Sequence, residues 1–144
     1  LDASLLLMGE FQFLAPDDPR FIGTLRATER RLQRGDFLLR YDEADDFGQP
    51  DAAFTVCTLW WINALARSGE KARARQMFER VLSRRNHVGL LSEDVSLDGS
   101  ELWGNFPQTY SMVGLIQCAA IPVPATRAPL ARIATGTVDA EVFF

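Results

Sequence analysis

Apolar and polar positions alternate along this chain in blocks that read as helices of two kinds. Residues 2 to 14, DASLLLMGEFQFL, are apolar on nearly every face, the pattern of a helix buried on all sides. APDDP interrupts it, and Asp18 followed by Pro19 is a good N-cap and first-turn pair. In the next block Phe21, Leu25, Thr28 and Leu32 recur at i, i+4, i+7 and i+11, with Arg26, Glu29, Arg30 and Arg31 between them. That spacing gives one buried face and one wet face. AAFTVCTLWWINALARS is again apolar nearly all round, and GE turns it into KARARQMFERVLSRR, where Ala74, Met77, Phe78, Val81 and Leu82 mark a single face. A fifth block starts near Pro107 and ends before IPVP. The pattern predicts helices near 3–14, 19–33, 52–68, 70–84 and 107–120.

The blocks alternate between all-round apolar and one-faced helices. The all-round ones start near residues 2, 52 and 107, a weak repeat of about 50 residues that suggests stacked helix pairs. The expected fold class is therefore all-α: part of an α/α toroid, about five helices of alternating inner and outer type. Its inner-to-outer turns are short and its outer-to-inner loops long. Both long loops should then lie at one end, without strands pairing into a sheet in the 36–50 loop. An open arc of this kind leaves apolar faces of its end helices bare. The periodicity fails after residue 121, so 1–121 is read as the helical domain and 122–144 as an irregular tail.

Composition narrows the picture slightly. The 144 residues are 47% hydrophobic and 24% charged, which is globular. A net charge of −4 speaks against nucleic acid as a partner. No apolar run is long enough for a membrane span, and no leader pattern is visible, so the expected location is cytoplasmic. Cys57 and Cys118 sit in apolar helical patterns and read as buried free thiols, with a disulfide as the alternative. With a single His87, far from both, no metal signature or cofactor motif emerges.

Candidate chemistry lies in the long loops. GLLSEDVSLDGSELWGNFPQTYS holds Glu93 in an apolar frame, beside Ser92, which is placed to orient it. It is a candidate general base or acid, or a loop carboxylate bonded to backbone amides. In the earlier loop, DEADD reads as a solvated acidic patch. Arg40, next to Tyr41, is suited either to a carboxylate partner or to sugar hydroxyls. Trp60 and Trp61 fall inside a helix and read as core, while Trp103 in its loop suits either the core or a sugar face.

GLLSED joined to GNFPQTYS at this spacing, preceded by DDFGQPDAAFTVCTLWWINALARSGEKARARQMFERVLSRR, resembles the C-terminal part of the catalytic domain of glycoside hydrolase family 15. LDASLLL and PDDPRFIGTLRATERRL resemble the preceding helix pair. The family comprises glucoamylases, glucodextranases and bacterial trehalase-type enzymes. The resemblance implies an (α/α)6 toroid and an inverting mechanism, in which one carboxylic acid protonates the glycosidic oxygen and a carboxylate activates water. By the resemblance, Glu93 is the general base, and Arg40 and Tyr41, in the RY loop, bind the terminal glucose. Tyr110 borders the cleft; Trp103, because a flat aromatic face suits the apolar face of a sugar, is taken as a further substrate contact. The family's general acid lies in a segment with no counterpart here, and the tail after residue 121 departs from the usual ending.

The expected function is thus a portion of an inverting α-glycoside hydrolase acting on an α-linked glucose oligosaccharide or trehalose. It carries the base without the acid, and its partner is the N-terminal part of the same enzyme. On that reading the 144 residues alone are inactive. The alternative is a truncated non-catalytic remnant that binds carbohydrate or another helical protein. Arg40 and Glu93 both follow an outer helix and precede an inner one, so they are expected on one concave face, within about two helix diameters, roughly 20 to 24 Å.

Overall fold

A computed structural model describes residues 1–46 and 48–121. The expected tail, 122–144, lies outside the described residues. Helices dominate. A 3-10 turn, Ala3–Leu6, runs into the short helix α1 (Leu7–Glu10), and α2 (Pro19–Leu32), α3 (Thr55–Arg67), α4 (Lys71–Leu82) and α5 (Thr109–Ala119) follow. The all-α expectation is broadly consistent with this, but two small antiparallel sheets are also present. β1 (Gln33–Arg34) pairs with β2 (Phe37–Leu38), which puts a strand into the 36–50 loop. β3 (Ala52–Phe54), β4 (Asp94–Ser96) and β5 (Leu102–Trp103) form the other sheet, with β4 central. Strands of two or three residues are too short to show an alternation in sequence.

Local signals account for the long helices. Asp18 caps α2 by accepting from the Arg20 amide at 2.8 Å, and Pro19 occupies the first turn. Phe21, Leu25, Thr28 and Leu32 are all buried, as their spacing predicts. In α3 every residue except Trp60 and Arg67 is buried. This helix packs against α4, α5 and the N-terminal segment, so its all-round apolar character is matched by neighbours on several sides. It begins at Thr55 rather than near 52, because Ala52–Phe54 are drawn into the sheet. Cys57 and Cys118 are buried free thiols.

The first helix is much shorter than its composition suggests. Gln12 adopts φ 58°, and the amides of Phe13 and Leu14 both reach the Met8 carbonyl, at 2.9 and 3.3 Å. A left-handed residue of this kind closes a helix. Phe11 and Phe13 consequently face solvent, at 75% and 77% exposure, instead of being buried. α5 is also buried on one side only. Ser111, Gly114 and Cys118 face the core at i, i+3 and i+7, while Tyr110, Val113 and Ile116 are exposed.

The two long connections meet. β3 closes the first and β4 lies in the second, in the register Ala52–Ser96, Ala53–Val95 and Phe54–Asp94; β5 adds Val95–Leu102 and Asp94–Trp103. Directly paired residues point to the same side of a sheet. Ala53, Val95 and Leu102 therefore share one face, where Ala53 and Val95 form a small core with Phe37. Phe54, Asp94 and Trp103 share the other.

Candidate active site

The backbone just before β4 is held by the starts of two helices. Three successive carbonyls each accept a hydrogen bond: Leu91 from the Gln108 amide (3.1 Å), Ser92 from the Ser111 hydroxyl (2.7 Å) and Glu93 from the Thr55 amide (2.9 Å). Thr55 opens α3, and Gln108 caps α5. Early helical amides have no partner within their own helix. Here segment 91–93 supplies partners to both helices, which fixes where Glu93 leaves the chain.

Glu93 is half-buried, and its own amide donates to the Asn105 carbonyl at 2.9 Å. Asn105 answers with two donors to Glu93 Oε2, its amide at 3.1 Å and its side-chain Nδ2 at 2.8 Å. Among the described residues no donor reaches Oε1. Gly104, at φ 75°, is skipped by this pairing, so the ladder is interrupted as in a β-bulge. Such interruptions re-aim side chains. Here the result is that consecutive residues, Glu93 and Asp94, line the same hollow.

That hollow has a volume of about 310 Å3, and Arg40, Tyr41, Asp51 and Phe54 also line it. A larger groove of about 670 Å3 shares Arg40, Phe54 and Glu93 and continues past Trp60 and Tyr110 along α5. Arg40, Tyr41 and Glu93 are thus gathered around the first space, and Arg40, Glu93 and Tyr110 around the second. Trp103 lines neither. It lies across β4 on the face shared by Phe54 and Asp94, 40% exposed, its indole N–H donating to Glu101 Oε2 at 2.7 Å.

Other expectations change at this level. The Ser92 hydroxyl does not orient Glu93; it donates to the carbonyl of Asp94. Asp42 and Glu43 pair with Arg31, and Asp45 accepts from the Tyr41 hydroxyl, so the acidic run is tied down rather than simply solvated. That bond to Asp45 raises the Tyr41 pKa. Arg40 takes a carboxylate partner, Asp2, at 3.3 Å, while remaining 53% exposed. Trp61 is core, its indole N–H on Glu29 and the Arg73 guanidinium over its ring, but Trp60 is only partly buried and lines the groove.

Sequence reasoning missed Asp94, Asn105 and Gly104. Asp94 stands beside Glu93 in the motif, yet a strand's alternation predicts that neighbours face opposite ways. Burial, followed by the charges of Glu93 and Asp51, pushes the Asp94 carboxyl up to about 6. Among the described residues no donor reaches its side-chain oxygens.

Residues 1–120 match the family model described as glycosyl hydrolases family 15. The chain belongs to this family. It is 39% identical over 119 residues to a trehalase of Mycobacterium tuberculosis, which covers 81% of this chain and 18% of the relative. It is 35% identical over 120 residues to a trehalase of Thermoplasma volcanium, covering 83% and 19%. A trehalase of Mycolicibacterium smegmatis is 38% identical over 119 residues, covering 81% and 18%. The family 15 chain therefore spans about a fifth of the length of these curated relatives. No solved structure matches it.

Proposed function

We propose that these residues form the base-carrying arc of an inverting, trehalase-type glycoside hydrolase with an (α/α)6 toroidal catalytic domain. Glu93 is the general base: its Oε1 takes a proton from water as the water oxygen attacks the anomeric carbon. The glycosidic electron pair leaves on the departing oxygen, which is protonated by a carboxylic acid from another part of a longer polypeptide. In an inverting site the two carboxyl groups stand about 6.5–9.5 Å apart to leave room for the water. Arg40 donates to the hydroxyls of the bound glucose, with Tyr41 beside it. Tyr110 offers its ring along the groove, and Trp103 flanks the entrance across the sheet.

One observation carries this reading: Glu93 and Arg40 line both spaces, and Glu93 is anchored at Oε2 while, among the described residues, Oε1 has no donor. A carboxylate held in this way suits proton abstraction by one oxygen. The relatives are named trehalases, which favours trehalose over a glucan as substrate. The bare faces of α5 and of Phe11 and Phe13 fit contact with further helices of a toroid.

The test is glucose release from trehalose and from maltose by a longer polypeptide carrying residues 1–121, with and without Glu93→Gln. The amide keeps the shape but cannot take the proton. Turnover is expected to fall by a factor on the order of 100 or more, with KM little changed. Inversion is read from the anomers first formed: α,α-trehalose should give one α- and one β-glucose. Near-normal turnover by the variant would remove Glu93 from the mechanism.

A further inference from the structure

Asp94 is poorly accommodated if its only task is structural. It is half-buried at the centre of the small sheet, between Phe54 on β3 and Trp103 on β5. Its carboxylate accepts no hydrogen bond among the described residues. Gly104 brings it close to Glu93, since a Cβ built there would lie 3.0 Å from both Asp94 Oδ2 and Glu93 Oε2. Among the described residues, the other charged or titratable groups around it are few. Asp51, on the approach to β3, adds a second like charge. Arg40 and Tyr41 line the hollow from the segment after β2, but Arg40 is paired with Asp2 and Tyr41 with Asp45. β5 presents only the Trp103 ring, whose N–H is used by Glu101.

We propose that Asp94 is a positioning residue for the reaction: a second carboxyl, crowded with Glu93 against Gly104, whose charge assists Glu93 in taking the proton of the attacking water. The proposal rests on the reading of Glu93 as the base. The pair is asymmetric. Asn105 gives Glu93 two N–H donors; among the described residues Asp94 receives none, and burial disfavours its charge. Below about pH 6 Asp94 is therefore neutral beside Glu93. Above it Asp94 is negative, and a second negative charge beside the attacking water favours removal of the water's proton.

The experiment compares pH profiles of kcat and KM for trehalose, in the longer polypeptide, for the native sequence, D94N, D94E and E93Q. The native profile should include a rise in kcat through about pH 6. D94N should lack that rise. Native kcat should exceed that of D94N by roughly three- to tenfold at pH 7, with KM unchanged. D94E, which keeps the carboxyl, should keep the rise. A constant ratio of native to D94N activity at all pH values overturns the proposal, as does a rise that persists in D94N or a complete loss of activity in D94N throughout. The Asp94 carboxyl is also followed directly by NMR titration, and its midpoint should fall in E93Q, where the neighbouring charge is gone. An unmoved midpoint refutes the coupling. Near-normal turnover of E93Q instead refutes Glu93 as base, so the two failures are distinguishable.

Discussion

Asn105 grips Glu93 at both ends: its carbonyl takes the Glu93 amide, and its amide and side-chain nitrogen both donate to Oε2. The backbone part fixes the strand, and the side-chain part fixes the carboxylate. Asn105→Ala removes one donor and leaves the other. A hydrogen bond to a charged group is worth about 1.5–3 kcal/mol, so kcat should fall roughly 10- to 100-fold. Steady-state kinetics on trehalose, in a longer polypeptide that carries these residues, would check this: a change confined to KM would mean that Asn105 serves binding rather than the proposed base.

Gly104 is the hinge of that grip. Its φ of 75° is costly for a residue with a side chain, and a Cβ would sit 3.0 Å from two carboxylate oxygens. Gly104→Ala is expected to destabilise the fold by about 1–3 kcal/mol and to depress activity further by pushing Glu93 aside. Thermal melting and kcat measured on the same preparation of the longer polypeptide separate the two effects. A variant with native stability and native turnover would show that the site tolerates a methyl group there.

Asp94 gives a pH-dependent stability prediction. Its folded-state pKa, about 6, lies above its ordinary value, so the folded protein holds that proton more tightly than the unfolded chain does. The associated stability is fully present below the ordinary carboxylate pKa, near 4, and is lost as pH rises through about 6. Asp94→Asn has no such loss. Allowing for solvent screening of a partly exposed group, the variant should be more stable than the native protein by about 1 kcal/mol at pH 7. It should be nearly equal to it at pH 3.5. Melting temperatures across that range test the sign, and a variant less stable at pH 7 contradicts it.

What was legible in the sequence is what depends on neighbours along the chain. The i, i+4, i+11 spacing of Phe21, Leu25 and Leu32, the Asp18 cap and the continuous apolar surface of α3 are local signals, and they gave their helices to within a few residues. Glu93 and Arg40 stood out through the local motifs that carry the family resemblance. The first helix misled because its apolar composition stops one turn too late: Phe11 and Phe13 look like core, but the helix has ended at Glu10 and the backbone turns left-handed at Gln12.

Tertiary structure alone decided the rest. Ala52–Phe54 abandons the helix its sequence favours because Asp94–Ser96, some 40 residues on, offers its amides and carbonyls as partners. That pairing, with segment 91–93 lodged at the starts of α3 and α5, brings Arg40 and Glu93 to one hollow. The interruption at Gly104 then turns Asp94 to the same side as Glu93, against the alternation of a strand. Sequence spacing could set the character of each helix, since the 3.6-residue period is built into the backbone. It could not set the charge on Asp94, which depends on burial and on carboxylates that only the folded chain brings together.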